Sequence, residues 1–205
     1  NLRRKRSSAG LIFTKNAFTF REGKIWLAKF YSPLKIVWSR PLPSSPSSVT
    51  VFRDPAGRWF ISFRVKVSAI PLPPTDLSIG VNLGDPSRIY LSSGVSVSFG
   101  KKLNKLTQRI RHLARHLKRK KRGGRNYEKS RIKLAKAYAK RASCRRDFLH
   151  KLSTHLIREN QTICIGAIRK SEKCNFSERW AELTRMLSYK ALLYGRMILL
   201  VPGLK

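Results

Sequence analysis

A change of hydrophobic period at residue 101 constrains this chain more than any other feature. Before it, apolar and polar residues alternate in short runs broken by prolines, the two-residue period of half-buried strands. From 101 to 160 the apolar positions fall three and four apart. Leu103, Leu106, Ile110, Leu113 and Leu117 form one series; Ile132, Ala135, Ala139, Ala142, Leu149, Leu152 and Leu156 form another. Gly123-Gly124 separates them, so the pattern predicts two helices packed as an antiparallel hairpin. The second helix is expected from about Tyr127 to Glu159, roughly 50 Å at 1.5 Å per residue. Strand-like segments precede and follow the hairpin, which makes the fold class α+β.

Ahead of the hairpin, residues 1–10 read as a basic loop, and the pattern is β from Leu11 to Val67. Ala17–Glu22, Lys24–Phe30 and Leu34–Ser39 are short alternating runs. Residues 49–67 read as a hairpin around Asp54-Pro55-Ala56-Gly57, whose proline and closing glycine suit a type I turn. Short strands at this spacing predict a small barrel or sandwich. Trp26, Trp38, Trp59 and Phe60 are read as core, with an exposed base-stacking platform as the alternative. Pro71-Leu72-Pro73-Pro74-Thr75 reads as a stiff linker. The expected domains are therefore 1–76, a β-barrel segment, and 77–205, an α/β domain containing the hairpin 101–160.

In the second domain Ile79-Gly80-Val81-Asn82-Leu83-Gly84 reads as a buried strand. Further strands are expected at Ser87–Leu91, Val95–Phe99, Thr162–Ala167 and Arg196–Val201. A helix is expected at Ser177–Tyr194, with Ser177 as N-cap and Trp180, Leu183, Leu187 and Ala191 on its apolar face.

Charge decides the class of partner. The chain carries 45 Lys+Arg against 10 Asp+Glu, a formal net charge of +35, so a polyanion is the expected partner and nucleic acid the first candidate. The hairpin segment 101–160 holds 22 of those cations and 3 acids. So dense a run repels itself without a partner. Its candidate phosphate contacts are Arg109, Arg111, Arg115, Lys118 and Arg119 along the first helix, and Lys121, Arg122 and Arg125 at the turn. Lys129, Arg145 and Arg146 continue the set along the second. No apolar run approaches the ~20 residues that span a bilayer, so no membrane partner is expected. Three cysteines without a CxxC pair suit a reducing, cytoplasmic setting. The chain opens at Asn1 without a methionine and stops five residues after Leu200, so both ends read as cut.

Catalytic constellations are scarce. Two-metal phosphodiester hydrolysis needs several converging carboxylates, and the ten acids are scattered. Glu22 and Asp54 fall at turns, Asp76 in the linker, and Asp85 at a turn after the Asn82 strand. His112 and His116 stand four apart without a third metal ligand. Gly80 and Gly84 lack the Lys-Ser/Thr of a phosphate loop.

Several stretches, in order, resemble the transposon-encoded TnpB (OrfB) proteins, RNA-guided nucleases akin to type V CRISPR effectors. Pro41-Leu42-Pro43, Ser48–Val51, Arg53-Asp54-Pro55, Gly57-Arg58-Trp59 and Ser62-Phe63 resemble the family's wedge-type β-barrel. Ile79–Gly84 resembles its first RuvC motif. Asn126–Lys129 and Arg145–Ser153 resemble its helical hairpin, while Trp180, Leu187–Ala191 and Tyr194-Gly195-Arg196 resemble the helix after its second motif. The resemblance implies a partial wedge-type barrel followed by an RNase H-like (RuvC) domain, with guide RNA and target DNA as partners. It also implies where the catalytic acids belong: the first aspartate falls on Asn82 and the glutamate on Gly166. The family's third acid and zinc ribbon would lie beyond Lys205, so no cofactor, zinc or catalytic magnesium is expected. These departures resemble nuclease-dead members that repress transcription by binding DNA without cutting. The alternatives are a fragment of an RNA-guided endonuclease and a generic basic RNA-binding protein.

Overall fold

Valine, isoleucine and aromatic residues at every second position build two separate sheet systems, one on each side of residue 68. The computed structural model describes residues 10–85, 88–166 and 175–201. The chain divides into one unit of Asn1–Val67 with Arg115–Lys136 and a second of Ser68–Ala114 with Ala137–Lys205.

The first unit contains β1 (Gly10–Thr14), β2 (Phe18–Arg21), β3 (Lys24–Leu27), β4 (Ser48–Arg53) and β5 (Trp59–Arg64). β4 is central, antiparallel to β1 on one side and β5 on the other, with Phe13 opposite Val49 and Val49 opposite Phe63. The predicted turn joins β4 to β5. The Asp54 carboxylate accepts from the Arg58 N–H at 2.8 Å and from its guanidinium, and Gly57 takes φ 82° where a side chain is strained. β2 and β3 form a separate hairpin.

No closed barrel is formed by the described residues. Among the described residues the strands form an open three-stranded sheet and a two-stranded hairpin. The run predicted as a strand at Leu34–Ser39 is irregular. Residues 28–47 carry four prolines, each lacking the N–H a sheet ladder needs. Trp38 nevertheless packs there, stacked on Phe63 with centroids 5.3 Å apart. Ile25, Leu27, Val49 and Ala56 are buried, whereas Trp59 is 66% exposed and Phe60 is also exposed, contrary to the core reading. Arg53 and Arg58 lie over those two rings instead.

The second unit contains β6 (Ser78–Asp85), β7 (Arg88–Leu91), β8 (Ser96–Ser98), β9 (Thr162–Gly166) and β10 (Met197–Val201) in the sheet order β10-β9-β6-β7-β8. β6, β7 and β8 form an antiparallel meander, and β9 and β10 continue the sheet in parallel with β6. Parallel neighbours require crossovers. Helices α1 (Gly100–Lys118) and α2 (Arg125–Glu159) precede β9, and α3 (Asn175–Tyr194) precedes β10.

One face of this sheet is the core. Val81, Ile89, Ile163 and Ile165 meet Leu149, Leu152, Leu156 and Ile157 of α2 and Trp180, Leu183, Met186, Leu187 and Ala191 of α3. The predicted apolar face of α3 is the buried one. Ser177 is not its cap, because the helix already begins at Asn175. The hairpin seam shifts in α2: Ala137 is buried, while Ile132 and Ala142 are exposed. Phe99, just before α1, meets Phe148 of α2 with rings 4.8 Å apart.

Two buried cations fasten this unit. Lys190 on α3 donates to Ser153 Oγ and Thr154 Oγ1 at 2.7 Å and to the His150 carbonyl at 2.9 Å. Arg196 donates to the carbonyls of Ile157 and Pro73 and to Gln161 Oε1. The proline stretch is thereby docked along the second unit, aided by Ile70 N–H to Leu193 O and Leu72 N–H to Tyr194 O.

Candidate functional site

Side chains alternate across a strand, so the residue after a core residue faces the opposite side of the sheet. Val81 lies beside Ile165 in the parallel β6–β9 pair, and both are buried. Asn82 follows Val81 and is exposed; Gly166 follows Ile165. A Cβ on Gly166 would sit 3.5 Å from Asn82 Oδ1, an ordinary van der Waals contact. The fold therefore brings together the two positions that the resemblance singled out. Tyr90 pairs with Asn82 on one side and with Ser96 beyond it, and Val201 pairs with Gly166. The row Ser96, Tyr90, Asn82, Gly166, Val201 crosses all five strands without a carboxylate.

These residues do not fit a two-metal centre. Asn82 offers a neutral carbonyl oxygen and Gly166 offers no side-chain ligand, whereas hard divalent cations on phosphodiesters are held by converging carboxylates. Among the described residues no three His, Cys, Asp or Glu side chains gather closely enough to hold a metal. Asp85 closes β6 and pairs through its backbone with Arg88 after a register shift from Asn82. Ala167, Ile168 and Glu172 lie outside the described residues. His112 and His116 are exposed on α1.

The hairpin cations divide into two groups. Arg109, Arg111, Arg115, Lys118 and Arg119 are exposed, as are Lys121, Arg122, Arg125 and Lys129. None of these nine forms an ion pair among the described residues. Arg145 and Arg146 differ. Both reach Glu182 of α3, at 3.1 and 3.5 Å, which makes them a tie between α2 and α3 as well as candidate phosphate contacts. Sequence reasoning also passed over four cations. Lys101, Lys102 and Lys105 of α1 join Arg109, with Lys140 of α2 opposite, around a groove of about 370 Å³. The signal was present: Lys101, Lys105 and Arg109 are spaced by four and share one helix face.

Elsewhere the acids serve structure. Glu128 holds Arg131 at 2.6 Å and Asp147 holds Lys151 at 2.9 Å along α2. Burial alone would raise the pKa of Asp54, but the backbone N–H and guanidinium of Arg58 prevail and hold its carboxyl below the ordinary 3.8. No helix among the described residues is long and apolar enough to cross a membrane.

Comparison with known proteins bears on this site. Residues 62–175 match the OrfB_IS605 family, described as a probable transposase. A Streptomyces pristinaespiralis protein named "Putative RNA-guided DNA endonuclease" is 39% identical over 97% of this chain and 52% of its own length. A similarly named Escherichia coli K12 protein, InsQ, is 25% identical over 80% of this chain and 46% of its own. The chain thus spans about half the length of these curated relatives. Among solved structures, a chain from the Cas12f1–sgRNA–target DNA complex aligns over 77% of this chain and 36% of its own. Its TM-score is 0.46 and its identity 19%.

Proposed function

The chain belongs to the OrfB_IS605 family of probable transposases, and from that membership we propose that it binds DNA under the direction of an RNA without cutting it. The observation that carries this reading is the closeness of Asn82 to Gly166, one residue beyond the Val81–Ile165 pair, in a region of the sheet whose described residues bring no carboxylate beside them. An RNase H-like domain suits the second unit: a three-strand antiparallel meander extended by two parallel strands reached through helices. Guide RNA and target DNA are the partners, with base pairing reading sequence and the protein gripping backbone. The exposed cations of α1 and the hairpin turn are the surface for that grip, and repression of transcription is the consequence of binding without cleavage.

The test is metal-dependent cleavage. Purified protein with its co-purified RNA, given magnesium or manganese and single- or double-stranded DNA, is expected to leave the DNA intact. Cutting above a metal-free control overturns the reading. The double variant Asn82→Asp, Gly166→Glu is expected to remain silent too, because two carboxylates are fewer than a two-metal centre converges.

A second reading, a piece of a cutting enzyme, is favoured by one fact: the chain spans about half of relatives named as endonucleases. Restored cleavage in that double variant would support it.

A further inference from the structure

Trp38 stands on the irregular segment between β3 and β4, outside any strand. Phe63 stacks on its indole with planes 18° apart, and Phe20 stands edge-on at 6.2 Å. The residue as a whole still keeps 38% of its surface exposed. With Phe20, Pro41 and Leu42 it lines a groove of about 640 Å³, within the range of small-ligand sites. Arg40 is at the same groove, exposed and without an ion pair among the described residues. The wall is open at Gly23, where an added Cβ would meet nothing within 4 Å.

The chemistry of this groove differs from that of the hairpin. Apolar aromatic surface offers nothing to a hydrated phosphate, and the bases of a duplex are stacked on one another and hidden. An unpaired base presents a flat face that an aromatic ring can cover regardless of sequence. Among the described residues lining the groove the charged one is Arg40, and the chain's net charge is +35, so an anionic polymer is the complementary occupant. We infer that the Trp38 groove seats an unpaired nucleobase of a single-stranded segment, with the base against Trp38 and Phe20 and its phosphate at Arg40. This rests on the reading above only in taking nucleic acid as the partner.

The experiment compares binding of a uridine RNA of about twelve nucleotides, the corresponding thymidine DNA and an RNA duplex across a range of salt. Trp38→Ala is expected to weaken single-strand binding by about tenfold with the salt slope unchanged, since stacking releases no counterion. Duplex binding should not move. Trp38→Phe, which keeps a ring on Phe63, should retain most of the affinity. Arg40→Gln should make the single-strand slope shallower by about 0.7. Greater loss for the RNA than for the DNA assigns the seat to RNA; the reverse assigns it to DNA. If Trp38→Ala does not fold, photocrosslinking of 4-thiouridine RNA to the unaltered chain decides instead: adducts at Trp38 or Phe20 support the seat, and adducts confined to the hairpin overturn it. Binding that is insensitive to Trp38, or equal losses on single strand and duplex, overturns this inference alone. A chain that binds none of the three probes overturns it together with the nucleic-acid reading.

Discussion

The two units contain five described strands each, yet they are stabilised in different ways. In the second, α2 and α3 lie on one face of the sheet, and thirteen hydrophobic residues form a single buried cluster. In the first, the described buried hydrophobics are Ile25, Leu27, Val49 and Ala56, while Leu11, Ile12, Val37 and Trp59 stay largely exposed. The difference lies in the cover. A sheet buries apolar side chains only where another layer meets it, and prolines between β3 and β4 deny the first unit a further strand. What the first unit has instead is surface. It holds exposed aromatic rings and the cation-rich turn of the hairpin, Arg115–Lys136. The second unit reads as scaffold and the first as contact.

That division is tested most forcefully by charge. Reversing Arg109, Lys118, Arg119, Lys121 and Arg125 to glutamate, four of them in the first unit, is expected to collapse nucleic-acid affinity. If all five sit on phosphates of duplex DNA, the slope of log affinity against log salt falls by about 4.5. At 0.1 M salt the affinity should drop more than about a hundredfold. Reversing Arg145 and Arg146, which Glu182 already engages, should change the slope less. Equal effects from the two sets would erase the distinction between contact and scaffold.

Packing gives the next largest effect. Leu156→Ala or Leu187→Ala empties a fully buried site in the second unit and should cost about 2–5 kcal/mol in urea unfolding. Val37→Ser or Leu11→Ser in the first unit should stay within about 0.5 kcal/mol. A large loss from either exposed position would mean that the first unit's apolar surface is covered in solution.

The turn of the first unit supplies a smaller effect with a defined pH dependence. Asp54→Ala removes an acceptor for the Arg58 N–H and an ion pair, an expected loss of about 1 kcal/mol at neutral pH. The folded carboxyl titrates below 3.8, so its contribution is present above the unfolded pKa and disappears as pH falls through the folded one. Stability curves of Asp54→Ala and the unaltered chain should converge in acid. A gap that persists there would assign the loss to turn geometry rather than to the carboxylate.

How much of this was visible in the sequence follows the same division. The second unit was legible because its signals are periodic: Trp180, Leu183, Leu187 and Ala191 mark the face that is buried, and β6 and β9 are short apolar runs that become central strands. The first unit was not. Alternation at Leu34–Ser39 resembles a strand, but Pro33 and the later prolines leave it without a ladder. The sequence places Trp59 in the core, whereas its position at the start of β5, opposite Arg53, leaves it exposed. The proximity of Asn82 and Gly166 rested on the resemblance, since no local pattern relates residues 84 positions apart. The pairing of Arg145 and Arg146 with Glu182 was hidden for the same reason.

The subtlest test lies inside the better-packed unit, where Lys190 is buried between α2 and α3. Its ammonium has three oxygen partners but no carboxylate among them, and burial lowers its pKa from 10.5. Holding the charge there opposes folding. As pH rises from the depressed folded value towards 10.5, the folded state gives up its proton before the unfolded state does. Stability therefore gains a rising contribution across that window. The neutral amine still hydrogen-bonds, so the three contacts need not break. Lys190→Met keeps the length of the side chain and removes the titration, leaving every other ionising group in place. Urea midpoints followed through the alkaline range below pH 10.5 should rise more steeply for the unaltered chain than for the variant. Parallel curves would show that Lys190 keeps an ordinary pKa, through water or movement of α3 against α2, and would weaken the picture of the second unit as a rigid scaffold.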